Sequence, residues 1–289
     1  MMHDSDTGKF GITKTELLTR LPSSDEIRYL TKLPNTIHSD IPADCVLEGT
    51  IVDVETTGLD TARDEIISFG FTKFVFNEEC TKIFVIEADT YYNEPSEPIS
   101  EFITDLTGIT DETVKGHVLT EEQMNHAMLN SEIIIAHHAA FDRKFLDRYW
   151  PVIKPWACTV RDLDLRTKYG AANSSLASVM AQVFGYYMTH HDALEDCFGC
   201  FIIAEDNLQE LVEVVFRPVY RVVAMNSEFM KKDLLKMNDF KWSNEERAWF
   251  KDNVTEEMLE ETELLIERCE GDVHKSLMDP NYRWSEVDT

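Results

Sequence analysis

The chain has 289 residues, and 43% of them are hydrophobic, which is enough apolar material for a packed core and excludes wholesale disorder. A formal net charge of −27 argues against nucleic-acid binding that rests on Lys and Arg alone, although bound cations can still attract phosphate. No stretch approaches the ~18 apolar residues of a membrane-spanning helix, the first residues lack a signal-peptide core, and the cysteines form no dense framework. We therefore expect a cytoplasmic protein without membrane contacts.

Residues 1–45 form a mixed, polar segment that Pro22, Pro34 and Pro42 interrupt. One short helix is predicted there, over either 14–21 or 24–33. We interpret this part as an N-terminal extension that packs loosely on the next domain or wraps around it.

Residues 46–216 predict strands first, and then strands and helices in alternation. An apolar strand at 49–55 ends in acids and leads into a Thr-Thr-Gly turn, and residues 65–76 and 81–88 predict a strand–turn–strand ribbon. A second apolar strand at 133–135 runs into a helix. The other predicted helices cover 99–110, 121–129, 158–169, 174–186 and a long amphipathic segment at 190–215. This order indicates an α/β domain with a mixed sheet flanked by helices.

The pattern changes near Arg217, and residues 217–289 predict a small C-terminal α+β module. A hairpin is expected over 240–251, with Trp242 and Trp249 on either side of a polar turn. These two rings, together with nearby Lys and Arg, either stack on nucleic-acid bases or form the core of the module. A helix is expected over 253–269, where Asn253 and Glu256 have the spacing of a capping box.

Two carboxylates stand at the end of the first strand, at Asp53 and Glu55. Residues two apart on a strand face the same side, so both carboxylates and Ile51 share one face, while Val52 and Val54 face the other. Like charges this close destabilise one another unless a cation lies between them. The alternative is a solvated strand end that carries no function.

Two further acidic signals follow along the chain. Asp142 comes after an apolar strand and opens a helix, where an acid is also a favourable partner of the helix dipole. His191 lies on the loop before the long helix, and Asp196 projects from that helix about one turn later. Together, four acids and a neutral His provide the ligands for two hard cations and a general base.

These segments resemble the DEDD 3′–5′ exonuclease superfamily in its His-type branch (DEDDh). They are especially similar to the proofreading epsilon subunit of bacterial DNA polymerase III and its free-standing relatives. The matching stretches are IVDVETTGLD (51–60), LTGITDETV (106–114), AHHAAFDRKFL (136–146) and HHDALEDC (190–197). The likeness covers roughly residues 47–210 and implies a ribonuclease H-like fold.

The resemblance assigns roles to named residues. It implies two divalent cations, Mg²⁺ or Mn²⁺, held by Asp53, Glu55, Asp142 and Asp196, and it makes His191 the general base. Candidate substrate-binding residues follow from the same motifs: Thr56, Thr57, Gly58, His138 and Phe141. Many relatives carry Asn at the position of His138, and Phe141 is also expected to pack so that it fixes Asp142.

The function expected from this resemblance is hydrolysis of single-stranded DNA, or of a frayed 3′ end, to nucleoside 5′-monophosphates. RNA is the alternative substrate, because nothing in the sequence reports on recognition of the 2′-OH. A rival from another class is a non-catalytic acidic binding module on the same fold. A polymerase or a replication or repair protein is a possible partner. Cys197 and Cys200 have half the spacing of a zinc or redox site, but we favour core cysteines that pack as small hydrophobic residues.

Overall fold

The computed structural model describes residues 30–150, 153–189 and 191–282. In chain order the strands are β1 (Thr31–Lys32), β2 (Leu47–Thr56), β3 (Ile66–Phe76), β4 (Ile83–Tyr92), β5 (Ile133–Ala136), β6 (Trp156–Cys158), β7 (Tyr186–Tyr187), β8 (Val219–Met225), β9 (Lys241–Ser243), β10 (Ala248–Thr255) and β11 (Asp272–Leu277). The main sheet has five strands in the order β4-β3-β2-β5-β6. β2, β3 and β4 pair antiparallel, whereas β5 and β6 continue the sheet parallel to β2. The predicted α/β class with a ribonuclease H-like mixed sheet is confirmed.

Helices cover both faces of the main sheet. In chain order the α-helices are α1 (Glu101–Thr107), α2 (Asp111–Val114), α3 (Glu121–Met128), α4 (Ala139–Tyr149), α5 (Thr159–Asp162), α6 (Leu165–Tyr169), α7 (Leu176–Val179), α8 (Ala193–Phe216), α9 (Lys232–Met237) and α10 (Glu256–Arg268), of which the last two pack on the second sheet instead. Among the residues that the structure describes, none of these helices is long and apolar enough to cross a membrane.

Alternate residues of β2 face opposite layers of the domain. Ile51 belongs to the hydrophobic core that α8 covers, whereas Val52 and Val54 belong to the core beneath α3 and α4. Because side chains alternate along a strand, Asp53 and Glu55 follow Ile51 toward α8. The strand pattern read from the sequence therefore predicts correctly which layer the two acids face.

A glycine on β3 controls how closely α8 approaches the sheet. Gly70 pairs with Asp53 across the β2–β3 ladder. A Cβ atom at Gly70 would lie 2.5 Å from the backbone carbonyl carbon of Ala193, where α8 begins. The start of α8 can rest on the sheet beside Asp53 because this position has no side chain.

Two of the predicted helices are interrupted. Within 158–169, Cys158 ends β6 and two short helices follow, because Asp162 accepts the N–H of Cys158 (2.8 Å) and Asp164 accepts that of Thr167 (3.1 Å). Asp side chains that bond to nearby backbone in this way compete with a continuous helix. The helix predicted over 174–186 begins at Leu176, changes to a π turn over Met180–Phe184 and ends at Gly185.

The described part of the N-terminal extension, residues 30–45, lies against the main domain. β1 pairs in parallel with β7, and Leu33 is buried in the core that α8 covers. The N–H of His38 donates to the carbonyl of Val85 (2.7 Å), and the N–H of Val85 donates to Nδ1 of His38 (3.1 Å). Of the two segments predicted to form a helix, 14–21 lies outside the described residues, and the end of 24–33 forms β1.

A second sheet follows α8, with antiparallel strands in the order β11-β8-β10-β9. α9 and α10 pack on one face of it around a separate core that includes Val222, Leu235 and Ile266. The predicted hairpin is confirmed, since Trp242 pairs with Trp249 across β9 and β10, but strands β8 and β11 were not predicted. This arrangement supports a small α+β module, and the division into residues 1–45, 46–216 and 217–289 stays a prediction.

The capping-box interpretation of Asn253 and Glu256 is wrong. Asn253 lies within β10 at a φ of 58°, and Thr255 is the N-cap of α10. The pairing of β10 with β8 shifts register between Lys251 and Val254, so Asn253 occupies an irregular point of the strand. The strand extends to the helix because its pairing with β8 outweighs the local capping signal.

Candidate active site

Three carboxylates converge where β2 meets the start of α8. Asp53 and Glu55 extend from one face of β2, and Asp196 lies in the first turn of α8. One oxygen of each side chain lies within 4.8 Å of the other two. The structure thus brings together acids that stand more than 140 residues apart in the sequence.

The fourth acid, Asp142, comes from the first turn of α4 in the opposite layer and is only 2% exposed. Its Oδ1 accepts a hydrogen bond from the backbone N–H of Val54 (3.2 Å), the residue between Asp53 and Glu55. Its Oδ2 is buried and has no hydrogen-bond partner within the described parts of the chain. Asp142 lies outside the group of three but is docked on the same strand.

The four carboxyl groups raise one another's pKa values. Burial, followed by the charges of Asp142 and Asp196, holds the pKa of Asp53 well above its ordinary value. Burial, and then the charge of Asp142, raises the pKa of Glu55 to about 7. Burial also raises the pKa of Asp142 to about 7, and burial together with Glu55 raises that of Asp196 to about 8. This repulsion is the kind that bound divalent cations relieve.

The donor set fits hard divalent cations, which prefer oxygen ligands. Asp53, Glu55, Asp142 and Asp196 offer carboxylate oxygens only. Burying an ionisable oxygen such as Oδ2 of Asp142 without a hydrogen bond is costly, and a cation beside it removes that cost. These residues could therefore hold the two ions that the sequence predicts, and this assignment stays a prediction.

His191 stands directly before α8 in a left-handed backbone conformation, with a φ of 57°. Asp192 is the N-cap of the helix and accepts the N–H of Glu195 (2.9 Å). Nδ1 of His191 lies 3.8 Å from Oε1 of Glu55, and the side chain is 47% exposed. A positive φ is uncommon outside glycine, and strained residues of this kind cluster at functional sites. The ring is thus placed beside the acids and open to solvent, and its role as general base stays a prediction.

The Thr-Thr-Gly turn is fixed by Asp64. Thr57 Oγ1 donates to Oδ1 of Asp64 (3.2 Å), and Thr56 Oγ1 donates to the carbonyl of Gly58 (2.6 Å). A Cβ atom at Gly58 would lie 2.5 Å from Oδ2 of Asp64, so a larger residue there would displace the carboxyl group that holds the turn. The turn follows Glu55 directly, and its role as a cradle for the 3′-terminal nucleotide stays a prediction.

A cleft of about 360 Å³ opens beside this turn and the start of α4. His138 and Phe141, both predicted to bind substrate, line it together with Leu59, Lys144 and Arg161. Phe141 also packs on Phe145, with ring centroids 4.9 Å apart, which agrees with its predicted packing role.

Sequence reasoning missed the two cations of this cleft. Lys144 follows Asp142 within the second motif, so its position was a usable signal, whereas nothing in the sequence brings Arg161 to the site. Burial, and then the charge of Arg161, lowers the pKa of His138. Lys144 and Arg161 thus place positive charge beside a strongly acidic centre.

Burial decides between the two interpretations of Cys197 and Cys200, a zinc or redox site and core cysteines. Cys197 and Cys200 are both buried in the core on the inner side of α8, and burial raises the pKa of each thiol well above its ordinary value. They are core cysteines, as we favoured. Cys197 lies directly after Asp196, so its packing helps to fix the first turn of α8.

Comparison with known families agrees with this geometry. The sequence profile of the RNase T exonuclease family, described as "Exonuclease", matches residues 50–203. Because this match covers more than half of the chain, the chain belongs to this exonuclease family. The resemblance to the DEDD 3′–5′ exonucleases is confirmed, and the divalent-metal dependence of that family agrees with the acidic cluster.

Among curated proteins, the chain is similar to the DNA polymerase III PolC-type of Caldanaerobacter subterraneus subsp. tengcongensis. The two are 32% identical over 199 residues, which is 65% of this chain and 13% of the relative. The PolC-type polymerase of Halalkalibacterium halodurans is 37% identical over 102 residues, covering 35% of this chain and 7% of the relative. The chain therefore spans only a small part of these relatives.

Among solved structures, exonuclease X in complex with 5′ overhanging duplex DNA matches with a TM-score of 0.43 and 23% identity, over 55% of this chain and 92% of that one. E. coli exonuclease I in complex with a dT13 oligonucleotide matches with a TM-score of 0.49 and 14% identity, over 72% of this chain and 52% of that one.

Proposed function

We propose that the protein is a divalent-metal-dependent 3′–5′ exonuclease that hydrolyses single-stranded DNA, or a frayed 3′ end, to nucleoside 5′-monophosphates. One observation carries this proposal: Asp53, Glu55 and Asp196 converge within 4.8 Å, and Asp142 is docked on the strand between the first two. Membership of the exonuclease family supports the same reaction. The rival reading as a non-catalytic acidic module is less favoured, because all five residues of the motif are present and adjacent.

Each part of the site has a task in this reaction. The four acids would hold two Mg²⁺ or Mn²⁺ ions, which would supply positive charge to the attacking oxygen of water and to the leaving oxygen of the phosphodiester. His191 accepts the proton of the attacking water at an imidazole nitrogen. Glu55, 3.8 Å away, then stabilises the imidazolium that forms.

The cleft beside the turn holds the substrate strand. Thr57 and Gly58 bind the terminal nucleotide through the turn, and Phe141 offers an apolar surface for its base or sugar. Lys144 and Arg161 attract the phosphates of the adjoining nucleotides, which offsets the repulsion between DNA and an acidic protein. Substrate enters from the cleft toward the carboxylates.

DNA is proposed over RNA because the curated relatives are DNA polymerases. For the same reason a polymerase, or another replication or repair protein, is the proposed partner, and the cytoplasm is the proposed location.

The test uses DNA and RNA oligonucleotides of one sequence, each labelled at the 5′ or the 3′ end, with Mg²⁺ or Mn²⁺. We expect stepwise shortening from the 3′ end, release of 5′-mononucleotides, faster hydrolysis of DNA, and no reaction when the 3′ end is blocked. Asp142→Ala should abolish this activity, whereas Asp105→Ala, which changes an exposed acid on α1, should leave it intact. Full activity of the Asp142→Ala variant would refute the site.

A further inference from the structure

The C-terminal module carries a row of aromatic and cationic side chains, which we call the aromatic–lysine strip: Phe229, Lys232, Lys236, Trp249 and Trp242. Nζ of Lys232 lies 4.0 Å from the ring centre of Phe229, and Nζ of Lys236 lies 5.6 Å from that of Trp249. The rings of Trp249 and Trp242 are 5.5 Å apart. Lys232 and Lys236 are one helical turn apart on α9, so the five side chains form one continuous surface.

Two aromatic rings of the strip are exposed to solvent and do not contribute to the core of the module. Trp249 packs partly against that core, whereas Trp242 lies outside it and is 48% exposed. Phe229 is 72% exposed. A tryptophan and a phenylalanine held in solvent beside lysines are unusual for a purely structural role, because burial of such rings is strongly favourable.

The strip lies in a short stretch with a small excess of cations, within a module (residues 217–289) that as a whole carries 17 Asp and Glu against 11 Lys and Arg. Residues 221–251 carry seven Lys and Arg against five Asp and Glu, whereas residues 46–216 carry 11 against 30. Glu246 pairs with Arg221 (2.9 Å), which leaves Asp233 and Asp239 as the exposed acids nearest the lysines of α9 in the sequence. Lys232 and Lys236 thus provide local positive charge beside the exposed rings on an acidic protein.

We propose that the aromatic–lysine strip is a second binding site for single-stranded nucleic acid, separate from the carboxylate site. Bases stack on Trp242 and Phe229, and the lysines between the rings contact the phosphates. Rings beside cations offer both contacts that a single strand makes, and every base has a face that can stack, so such surfaces bind single strands with little sequence preference. The site deepens the proposed function, because it would retain the strand whose 3′ end is hydrolysed.

The experiment measures the binding of a 5′-fluorescein oligothymidylate of about 30 nucleotides to the full chain in EDTA, by fluorescence anisotropy. Trp242→Ala and Lys236→Glu should each raise Kd by about tenfold, as expected for the loss of one stacked base or one phosphate contact. Trp242→Phe should retain most of the affinity, because the stacking face remains.

Matched controls lie in the other domain. Phe102→Ala removes an aromatic ring that is also 72% exposed but stands among acids on α1, and Lys115→Glu reverses an exposed lysine. Both should leave Kd unchanged. Equal Kd values for Trp242→Ala, Lys236→Glu and the wild type would overturn the proposal and leave this surface to a protein partner.

A second readout separates this inference from the nuclease proposal. Hydrolysis of the p-nitrophenyl ester of thymidine 5′-monophosphate reports on the carboxylate site alone, and it should be unchanged in Trp242→Ala. If binding is tight and depends on the strip, but no hydrolysis occurs, the proposed binding site is supported and the proposed nuclease function is refuted. If hydrolysis occurs but the strip variants do not change Kd, the nuclease function is supported and the proposed binding site is refuted.

Discussion

Gly70 and Ala193 are in direct backbone contact, and this contact places a site residue. Gly70 faces Asp53 in the strand ladder, and a Cβ atom there would lie 2.5 Å from the carbonyl carbon of Ala193. Ala193 begins the helix whose first turn carries Asp196. The distance between the Asp53 and Asp196 carboxylates therefore depends on the absence of a side chain at Gly70 on β3, a strand that carries neither acid.

The first prediction is that Gly70→Ala separates Asp196 from Asp53. The added methyl group must displace backbone rather than a flexible side chain, so we expect a loss of about 1–3 kcal/mol in the free energy of unfolding. We also expect a loss of nuclease activity of at least about tenfold, since even a small misplacement of reacting groups is costly. Urea unfolding and a single-turnover assay measure the two effects.

Gly199→Ala is the matched control for this change. Gly199 lies on the same helix, but its Cβ would meet only side-chain atoms of Leu176 and Met188, the nearest at 3.3 Å. Activity should persist there. An active Gly70→Ala variant would show that the approach of the helix does not set the site.

The second prediction concerns Asp142 in metal-free protein. Its pKa rises from an ordinary 3.8 to about 7, so the folded state is destabilised as pH increases through that range and gains stability as pH falls. With a chelator at pH ~8, Asp142→Asn should therefore be more stable than the wild type by at least about 1 kcal/mol, because the buried charge is gone. Urea unfolding with EDTA measures this difference.

Addition of Mg²⁺ or Mn²⁺ should reverse that order, because ligand binding stabilises only the protein that can hold the ions. Wild type should gain stability with ion concentration, and Asp142→Asn should gain much less. An equal gain in both proteins would contradict the assignment of Asp142 as a metal ligand.

The third prediction concerns His191. Its removal leaves the carboxylates in place, so His191→Ala should lower kcat by about 10²–10⁴, the usual contribution of a general base, and should retain metal binding. The metal-binding readout is the ion-dependent rise in unfolding midpoint. His274→Ala, at an exposed position in β11, is the control. Retention of most of the activity in His191→Ala would assign the proton transfer to another group.

The fourth prediction concerns the stability of the fold at low pH. Burial, and then the neighbouring His138, lowers the pKa of His137 to about 4 from an ordinary 6.5. In this pH range the His137 imidazole binds a proton more readily in the unfolded chain than in the folded state. The folded state therefore loses stability as pH falls from about 6.5 through about 4. The loss attributable to this group is about 3 kcal/mol. In His137→Gln the free energy of unfolding should therefore fall by about that much less between neutral and acidic pH than it does in the wild type. Urea unfolding at pH ~7 and ~4.5 measures this difference.

His137 is the right residue for this test because both ring nitrogens are engaged. Nδ1 lies 2.7 Å from Thr159 Oγ1, and Nε2 lies 2.9 Å from the carbonyl of Ser174. The raised pKa values of the site carboxylates act in the opposite direction, since those groups favour the folded state as pH falls. The comparison of slopes between wild type and variant isolates the His137 contribution, and identical slopes would refute it.

The positions of the site acids were predictable because each has a local signal. Strand alternation sets the direction of Asp53 and Glu55, and a helix start follows an apolar strand at Asp142. The contact between Gly70 and Ala193 has no such signal, because it joins elements that are distant in the sequence. The cation Arg161 was missed for the same reason.

Errors in the elements also have physical causes. The helix expected over 174–186 contains no proline to end it, and the observed end is Gly185 in a left-handed conformation after the π turn. Asn253 has the local chemistry of a helix cap, but pairing of β10 with β8 extends the strand past it. Strands β8 and β11 lack a clear alternation of apolar and polar residues; β8 pairs with β10 of the hairpin, and β11 pairs in turn with β8.

The contact between His38 and Val85 also affects how the chain behaves when it is shortened. β4 is the outermost strand of the main sheet on that side, and an uncovered outer strand offers its amide groups to other molecules. His38 occupies both backbone groups of Val85. A variant that begins at residue 46 would retain every candidate catalytic residue but would expose the unpaired backbone groups of β4. We therefore expect this variant to aggregate at concentrations at which the intact chain does not.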